Sequence, residues 1–230
     1  MHTVLALDTT TAACSVALCH KGEITHRFRL ASREHTRLLL PMVDELLAES
    51  GIAIQQLDAL AFTHGPGSFT GIRIGFGVVQ GLAFGADLAL APVSSLETLA
   101  HTAVRNLPIT DDHYFLVPMF DARMDEVYWA NFEWRDGRLT RCCEDSLSAP
   151  ENLSLDLPNA PLYGVGDGWQ YGERIALQPT QVDTTLLPDA RDVLTVAMPD
   201  IKAGRLRAVD DVQPLYLRDK VSWKKRQRLR

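Results

Sequence analysis

The residues Thr63-His64-Gly65-Pro66-Gly67-Ser68-Phe69-Thr70-Gly71-Ile72-Arg73-Ile74-Gly75-Phe76-Gly77 put a glycine-rich turn between an apolar stretch and a helix that itself still carries glycine. Backbone N–H groups at a helix N-terminus attract anions, and a residue without a Cβ lets a phosphate or another backbone come close. The run therefore serves a phosphate or an unusually tight packing surface, and the function of the chain turns on which.

Two familiar phosphate loops are excluded by the residues themselves. A P-loop ends in Gly-Lys-Ser/Thr, whereas this run ends in Gly71-Ile72-Arg73 and has no lysine for the β and γ phosphates. A dinucleotide loop follows the first strand of a parallel unit, whereas this one follows the fourth strand and contains Pro66. A second glycine turn, Gly164-Val165-Gly166-Asp167-Gly168, lies in the other half of the chain. Asp8, Gly65, Gly67, Gly164 and Gly166 are the candidate nucleotide contacts.

Periodicity predicts strands over 4–8, 14–19 and 24–30, a helix over 35–50 stopped at Gly51, a strand over 58–63, the glycine turn, and a helix to about residue 85. Pro41 either kinks the first helix or marks its first turn. A strand over 88–93 and a helix over 95–105, capped by Ser94 or Ser95, complete the first half. The second half repeats the start: strands over 114–121, 126–134 and 138–143, then helical and loop material, a strand over 161–165 and a helix over 169–177.

This duplication predicts two α/β domains, 1–105 and 106–230, each with a mixed sheet and facing each other across a cleft. That is the layout of the actin-like, sugar-kinase-like and Hsp70-like ATPases, the ribonuclease H-like group. In such a fold Asp8 sits near the phosphates or their magnesium, or is simply a turn aspartate.

Composition narrows the function classes. With 230 residues, 46% hydrophobic and 23% charged, the chain is of ordinary globular type. Apolar runs are broken by charge or proline short of a membrane span, and the N-terminus lacks a signal-peptide pattern, so a cytoplasmic protein is expected. Cys14, Cys19, Cys142 and Cys143 form no metal or disulfide spacing, and His35, His64 and His101 form no i, i+4 pair. A net charge of −6 argues against the whole surface binding nucleic acid, yet residues 218–230 carry seven basic side chains and one acidic. That tail, with Trp223, Lys224 and Lys225, is either solvated or a contact for a phosphate backbone or an acidic partner.

Four segments, Ala6-Leu7-Asp8-Thr9-Thr10, His64 to Gly75, Asp121-Ala122-Arg123-Met124-Asp125-Glu126-Val127-Tyr128, and Pro214-Leu215-Tyr216-Leu217-Arg218 with Trp223-Lys224-Lys225, resemble the TsaB (YeaZ) family in order and across nearly the whole chain. The resemblance implies a non-catalytic relative of TsaD. With TsaD and the ATPase TsaE, such a subunit serves transfer of threonylcarbamoyl from threonylcarbamoyl-AMP to N6 of adenosine 37 in tRNAs reading codons that begin with A. It also implies that tRNA is met through the complex, and that the subunit pairs with TsaD or with itself. Where TsaD carries two metal-binding histidines, this chain has Ser95 and Leu99, and where TsaD has an acidic pair it has Ala12 and Ala13. No catalytic residue, metal or cofactor is expected. The alternative is a stand-alone enzyme, either a kinase of this fold or a metallopeptidase.

Glycines recur on the helix over 69–85: Gly77, Gly81 and Gly85 share one face, and Gly71 and Gly75 form another such pair. Each interior glycine costs up to about 1 kcal/mol relative to alanine, so close packing has to offset a few kcal/mol. The packing is against the chain's own sheet or against a helix of a second molecule. For the second case the resemblance implies a surface made by Leu39, Val43 and Leu47 with Gly71, Ile74, Gly75, Val78 and Leu82.

Overall fold

The computed structural model describes residues 2–31 and 33–218. Trp223, Lys224 and Lys225 lie outside the described residues. The first sheet contains β1 (Val4–Asp8), β2 (Ala13–His20), β3 (Glu23–Leu30), β4 (Ala59–Gly65) and β5 (Leu90–Ser94) in the order β3-β2-β1-β4-β5. The meander β1–β3 is antiparallel, and β4 and β5 add in parallel after their crossover helices.

Strand alternation splits this sheet into two unlike faces. Leu5, Leu7, Leu60 and Phe62 point to α1 (His35–Ser50) and α2 (Phe69–Ala86). Val4, Ala6, Ala59 and Ala61 point the other way, and these small side chains let α4 (Ala190–Lys202) lie close through Val193, Leu194, Ala197 and Ile201. Pro41 is interior to α1, so it does not mark the first turn, and Gly51 ends the helix in a left-handed conformation.

The second sheet contains β6 (His113–Arg123), β7 (Glu126–Trp129), β8 (Phe132–Arg135), β9 (Arg138–Arg141), β10 (Ser146–Ser148), β11 (Leu162–Val165) and β12 (Gln181–Asp183). The strand expected over 126–134 is two: it breaks at Ala130 and Asn131, so that β7 joins the distal half of β6 and β8 the proximal half. The helix expected over 169–177 is a 3-10 stretch, Asp167–Arg174. Between the sheets runs α3 (Ser95–Asn106), capped by Ser94, whose hydroxyl accepts from the Glu97 N–H.

The expected unit 106–230 is corrected for its last part. Helix α4 packs on the first sheet, Arg207 pairs with Leu90 at the edge of β5, and the Leu215 N–H donates to the His64 carbonyl at 2.8 Å. Nothing in residues 190–218 completes the second sheet; alanine-rich strands of the first one supply the flat face that α4 covers.

Helix α2 reaches, over 18 residues, the length and apolar composition of a membrane span. In this fold it lies on the first sheet, with Gly71, Ile72, Gly75, Val79 and Ala83 buried.

Candidate partner-docking surface

The glycine turn is filled by the protein itself. After β1 the chain turns through Thr9 and Thr10 and lies on the bed that the glycines leave. A Cβ on Gly71 or Gly75 would run into the Thr9 carbonyl or hydroxyl, one on Gly67 would meet the Thr10 carbonyl at 2.5 Å, and one on Gly65 would meet the Leu215 carbonyl at 2.6 Å. The Thr9 hydroxyl donates to the Gly71 carbonyl at 2.8 Å, and the Ser68 N–H donates to the Thr10 carbonyl at 2.8 Å. Gly65 and Gly67, expected as nucleotide contacts, therefore serve close approach of backbone to backbone. Gly71 and Gly75, expected on a partner surface, face inward for the same reason.

Asp8 lies at the end of β1, fully buried. Its Oδ1 accepts from the Thr10 and Thr63 hydroxyls at 2.6 and 2.5 Å and from the Thr10 N–H at 3.3 Å. Its Oδ2 has no partner among the described residues. Burial pushes its carboxyl above the usual range, and the three hydrogen bonds and the charge of His35 offset this only in part. This is an aspartate that ties the turn to β4.

The second glycine turn is closed in the same way. The Trp169 indole covers Gly164 while its N–H donates to the Val117 carbonyl at 2.8 Å; Gly166 abuts Met119 and the Leu99 side chain; Gly168 abuts Met119. Gly164 thus leaves room for the Trp169 indole, and Gly166 for the Met119 backbone and the Leu99 side chain.

Ser95 and Leu99 are fully buried; the Ser95 hydroxyl donates to the Pro66 carbonyl. His35 places Nε2 3.1 Å from the Thr11 and Ala13 carbonyls, and burial pushes the His64 and His101 imidazoles below their ordinary value. Among the described residues no three His, Cys, Asp or Glu side chains are placed to hold a metal ion.

The outer face of α1 and α2 is different. Among the described residues, a Cβ built on Gly77, Gly81 or Gly85 meets nothing within 4 Å. With Thr36 and Leu40 of α1 and Ile74, Val78 and Leu82 of α2, Gly77 and Gly81 line a mainly apolar groove of about 410 Å³. Leu40 is exposed, and Phe84, 87% exposed, stands beside the last of these glycines. Ile74, Val78 and Leu82 are the expected surface residues that the structure brings to this groove. Leu39, Val43 and Leu47 are corrected: they are 0%, 1% and 9% exposed and belong to the core beneath α1. The residues missed on α1 are Thr36 and Leu40. Leu40 is an apolar side chain in the helical phase of Arg37 and Asp44, and that misplacement was the available signal.

The chain is 39% identical to the tRNA threonylcarbamoyladenosine biosynthesis protein TsaB of Haemophilus influenzae, over 97% of this chain and 96% of that protein. It is 40% identical to the protein of the same name from Escherichia coli, over 96% and 97%. The chain belongs to the TsaB family. A family described as TsaD: tRNA N6-adenosine threonylcarbamoyltransferase also matches residues 28–187. The crystal structure of YeaZ from Pseudomonas aeruginosa superposes with a TM-score of 0.89 at 40% identity, covering 94% of this chain and all of that one. The chain thus shares with that structure the two-sheet α/β fold described above, and takes part in tRNA threonylcarbamoyladenosine biosynthesis.

Proposed function

We propose that this chain is the non-catalytic, cytoplasmic subunit that binds and supports TsaD, together with TsaE, while threonylcarbamoyl is transferred to adenosine 37 of tRNA, and that it docks through the α1–α2 groove. The observation that carries this reading is the open row Gly77, Gly81 and Gly85 beside Leu40 and Phe84. Each glycine in a helix interior costs up to about 1 kcal/mol, and among the described residues nothing outside the helix lies within 4 Å of a Cβ built on Gly77, Gly81 or Gly85. A helix of a partner laid on this row recovers the cost as close backbone approach and apolar burial.

The non-catalytic half of the reading is supported by packing. Protein atoms occupy the glycine turns in both halves, Asp8 is enclosed, and Ser95 and Leu99 are structural. These features count against the kinase and the metallopeptidase alternatives, which need an accessible phosphate or metal site.

The test is a reconstitution. Purified chain and TsaD should sediment as a heterodimer, Val78→Glu should abolish it, and threonylcarbamoyl transfer should require the chain with TsaD and TsaE. A chain that hydrolyses ATP or transfers the group alone, or a Val78→Glu variant that pairs normally, overturns the reading. Self-pairing through the same groove is the second outcome, read from the sedimentation of the chain without TsaD.

A further inference from the structure

The outermost strand of the first sheet, β3, is an open edge. Among the described residues it pairs with β2 alone, in a register unbroken over its eight residues and without proline. The Ala31 N–H donates to the Ala12 carbonyl at 2.8 Å and so continues that ladder. Odd-numbered residues of β3 therefore turn their backbone N–H and C=O groups to β2, whereas Ile24, His26, Phe28 and Leu30 turn theirs to the open side. The side chains of these four share the α4 face of the sheet, opposite Cys19, Ala17, Ser15 and Ala13. There Ile24 is 49% exposed, Phe28 36% and Leu30 72%. We propose that this edge seats a second copy of the chain, whose own β3 runs antiparallel to it across a two-fold axis at His26.

Charge selects both the occupant and the register. Glu23 and Arg29 lie on the α1 face, both exposed and in no ion pair among the described residues, whereas Arg27 between them holds Glu45 and Glu49 at 3.4 and 2.6 Å. With His26 opposite His26 of the second copy, Glu23 of each copy stands opposite Arg29 of the other, and Ile24 of each opposite Phe28 of the other. Opposite charges and apolar pairs directly across a ladder are the contacts that stabilise it. Burial, then the charge of Arg191, push the His26 imidazole below its ordinary value, so the two central rings meet uncharged at neutral pH. Sliding the second copy by one hydrogen-bonding step loses the match: one direction sets Arg27 against Arg27, the other sets Arg29 against Lys21.

An unpaired strand edge recruits another strand unless charge, proline or a bulge repels it. On β3 the charges do the opposite, because a two-fold axis brings each onto its complement. The α1–α2 groove takes none of its lining from β3, so one chain can hold a second copy at the sheet edge and a partner at the groove.

The inference is independent of the role proposed above, and the experiment uses the full chain by itself. Sedimentation should show a dimer. Glu23→Arg sets arginine against Arg29 at two places and should weaken the dimer by about tenfold or more, as should Arg29→Glu. Glu23→Arg combined with Arg29→Glu should restore it, which separates pairing from misfolding. Val78→Glu should leave it intact. Amide hydrogen exchange reads the register: the N–H groups of Ile24, His26 and Phe28 should exchange slowly in the parent and fast in Glu23→Arg. A chain that sediments as a monomer overturns the proposal, as does a dimer indifferent to Glu23→Arg or not restored by the charge swap. So does a dimer that Val78→Glu dissolves, which would place self-pairing in the groove, and so does fast exchange at those three amides within the dimer. Failure to pair with TsaD while the β3 dimer persists counts against the role proposed above and supports this one.

Discussion

The Thr9 carbonyl stands where a Cβ on Gly71 would have to be, while the Thr9 hydroxyl donates to the Gly71 carbonyl at 2.8 Å. One glycine thus carries both a steric and a hydrogen-bonding contact to the β1–β2 turn. Gly71→Ala forces that turn off α2 and should destabilise the chain by about 1–3 kcal/mol, the range for overpacking a tight contact. Chemical denaturation checks it.

Gly81→Ala should do the reverse. Among the described residues the added methyl meets nothing within 4 Å, and it removes glycine's backbone freedom from a helix interior, so the chain by itself gains up to about 1 kcal/mol. Association with TsaD should weaken, because the same methyl holds the partner helix away. A pair of denaturation and sedimentation measurements on this one variant separates stability from docking.

Adjacent leucines on α1 should split the same two properties. Leu39 is wholly buried in the core, so Leu39→Ala should cost about 2–5 kcal/mol of stability. Leu40 is exposed on the groove, so Leu40→Ala should leave the melting temperature nearly unchanged and weaken pairing.

The buried Asp8 gives a pH dependence of unusual sign. Its folded value is raised, chiefly by burial, so folding favours the protonated acid. Its favourable contribution is present below the unfolded aspartate value of about 3.9 and is lost as pH rises through the folded value. Asp8→Asn keeps an acceptor for Thr10 and Thr63 and removes the titration. The stability of the parent relative to this variant should therefore fall as pH rises from about 4 and then level off, as read by urea denaturation at several pH values.

Arg105 holds α3 to α4. It pairs with the buried Asp192 at 2.6 Å, and Asp192 also accepts from the Thr102 hydroxyl at 2.8 Å. Arg105→Met leaves Asp192 buried with one neutral donor and should cost about 2–4 kcal/mol, whereas adding Asp192→Leu should recover much of the loss. A double-mutant cycle by denaturation checks this.

Much of the architecture was legible in the residues. Alternation in 4–8 and 58–63, helical spacing in 35–50 and the glycine run were enough for a mixed-sheet unit and its recurrence. Helix α4 was not legible, because its partners are alanines contributed by β1, β2, β4 and β5, which no local pattern connects to residues 190–202. The break of β7 and β8 at Ala130 and Asn131 was hidden for a similar reason: each half pairs with a different part of β6.

For the α2 helix the division is sharpest. The sequence by itself determined that glycines stand four apart in two rows, since helical periodicity is local. Only the tertiary structure decided which row is buried, because that depends on Thr9 and Thr10 arriving from a strand some sixty residues earlier. Gly71 and Gly75 receive that turn, and Gly77, Gly81 and Gly85 remain open to a second molecule. Direction of packing is a property of contacts distant in sequence, and spacing along a helix carries no information about it.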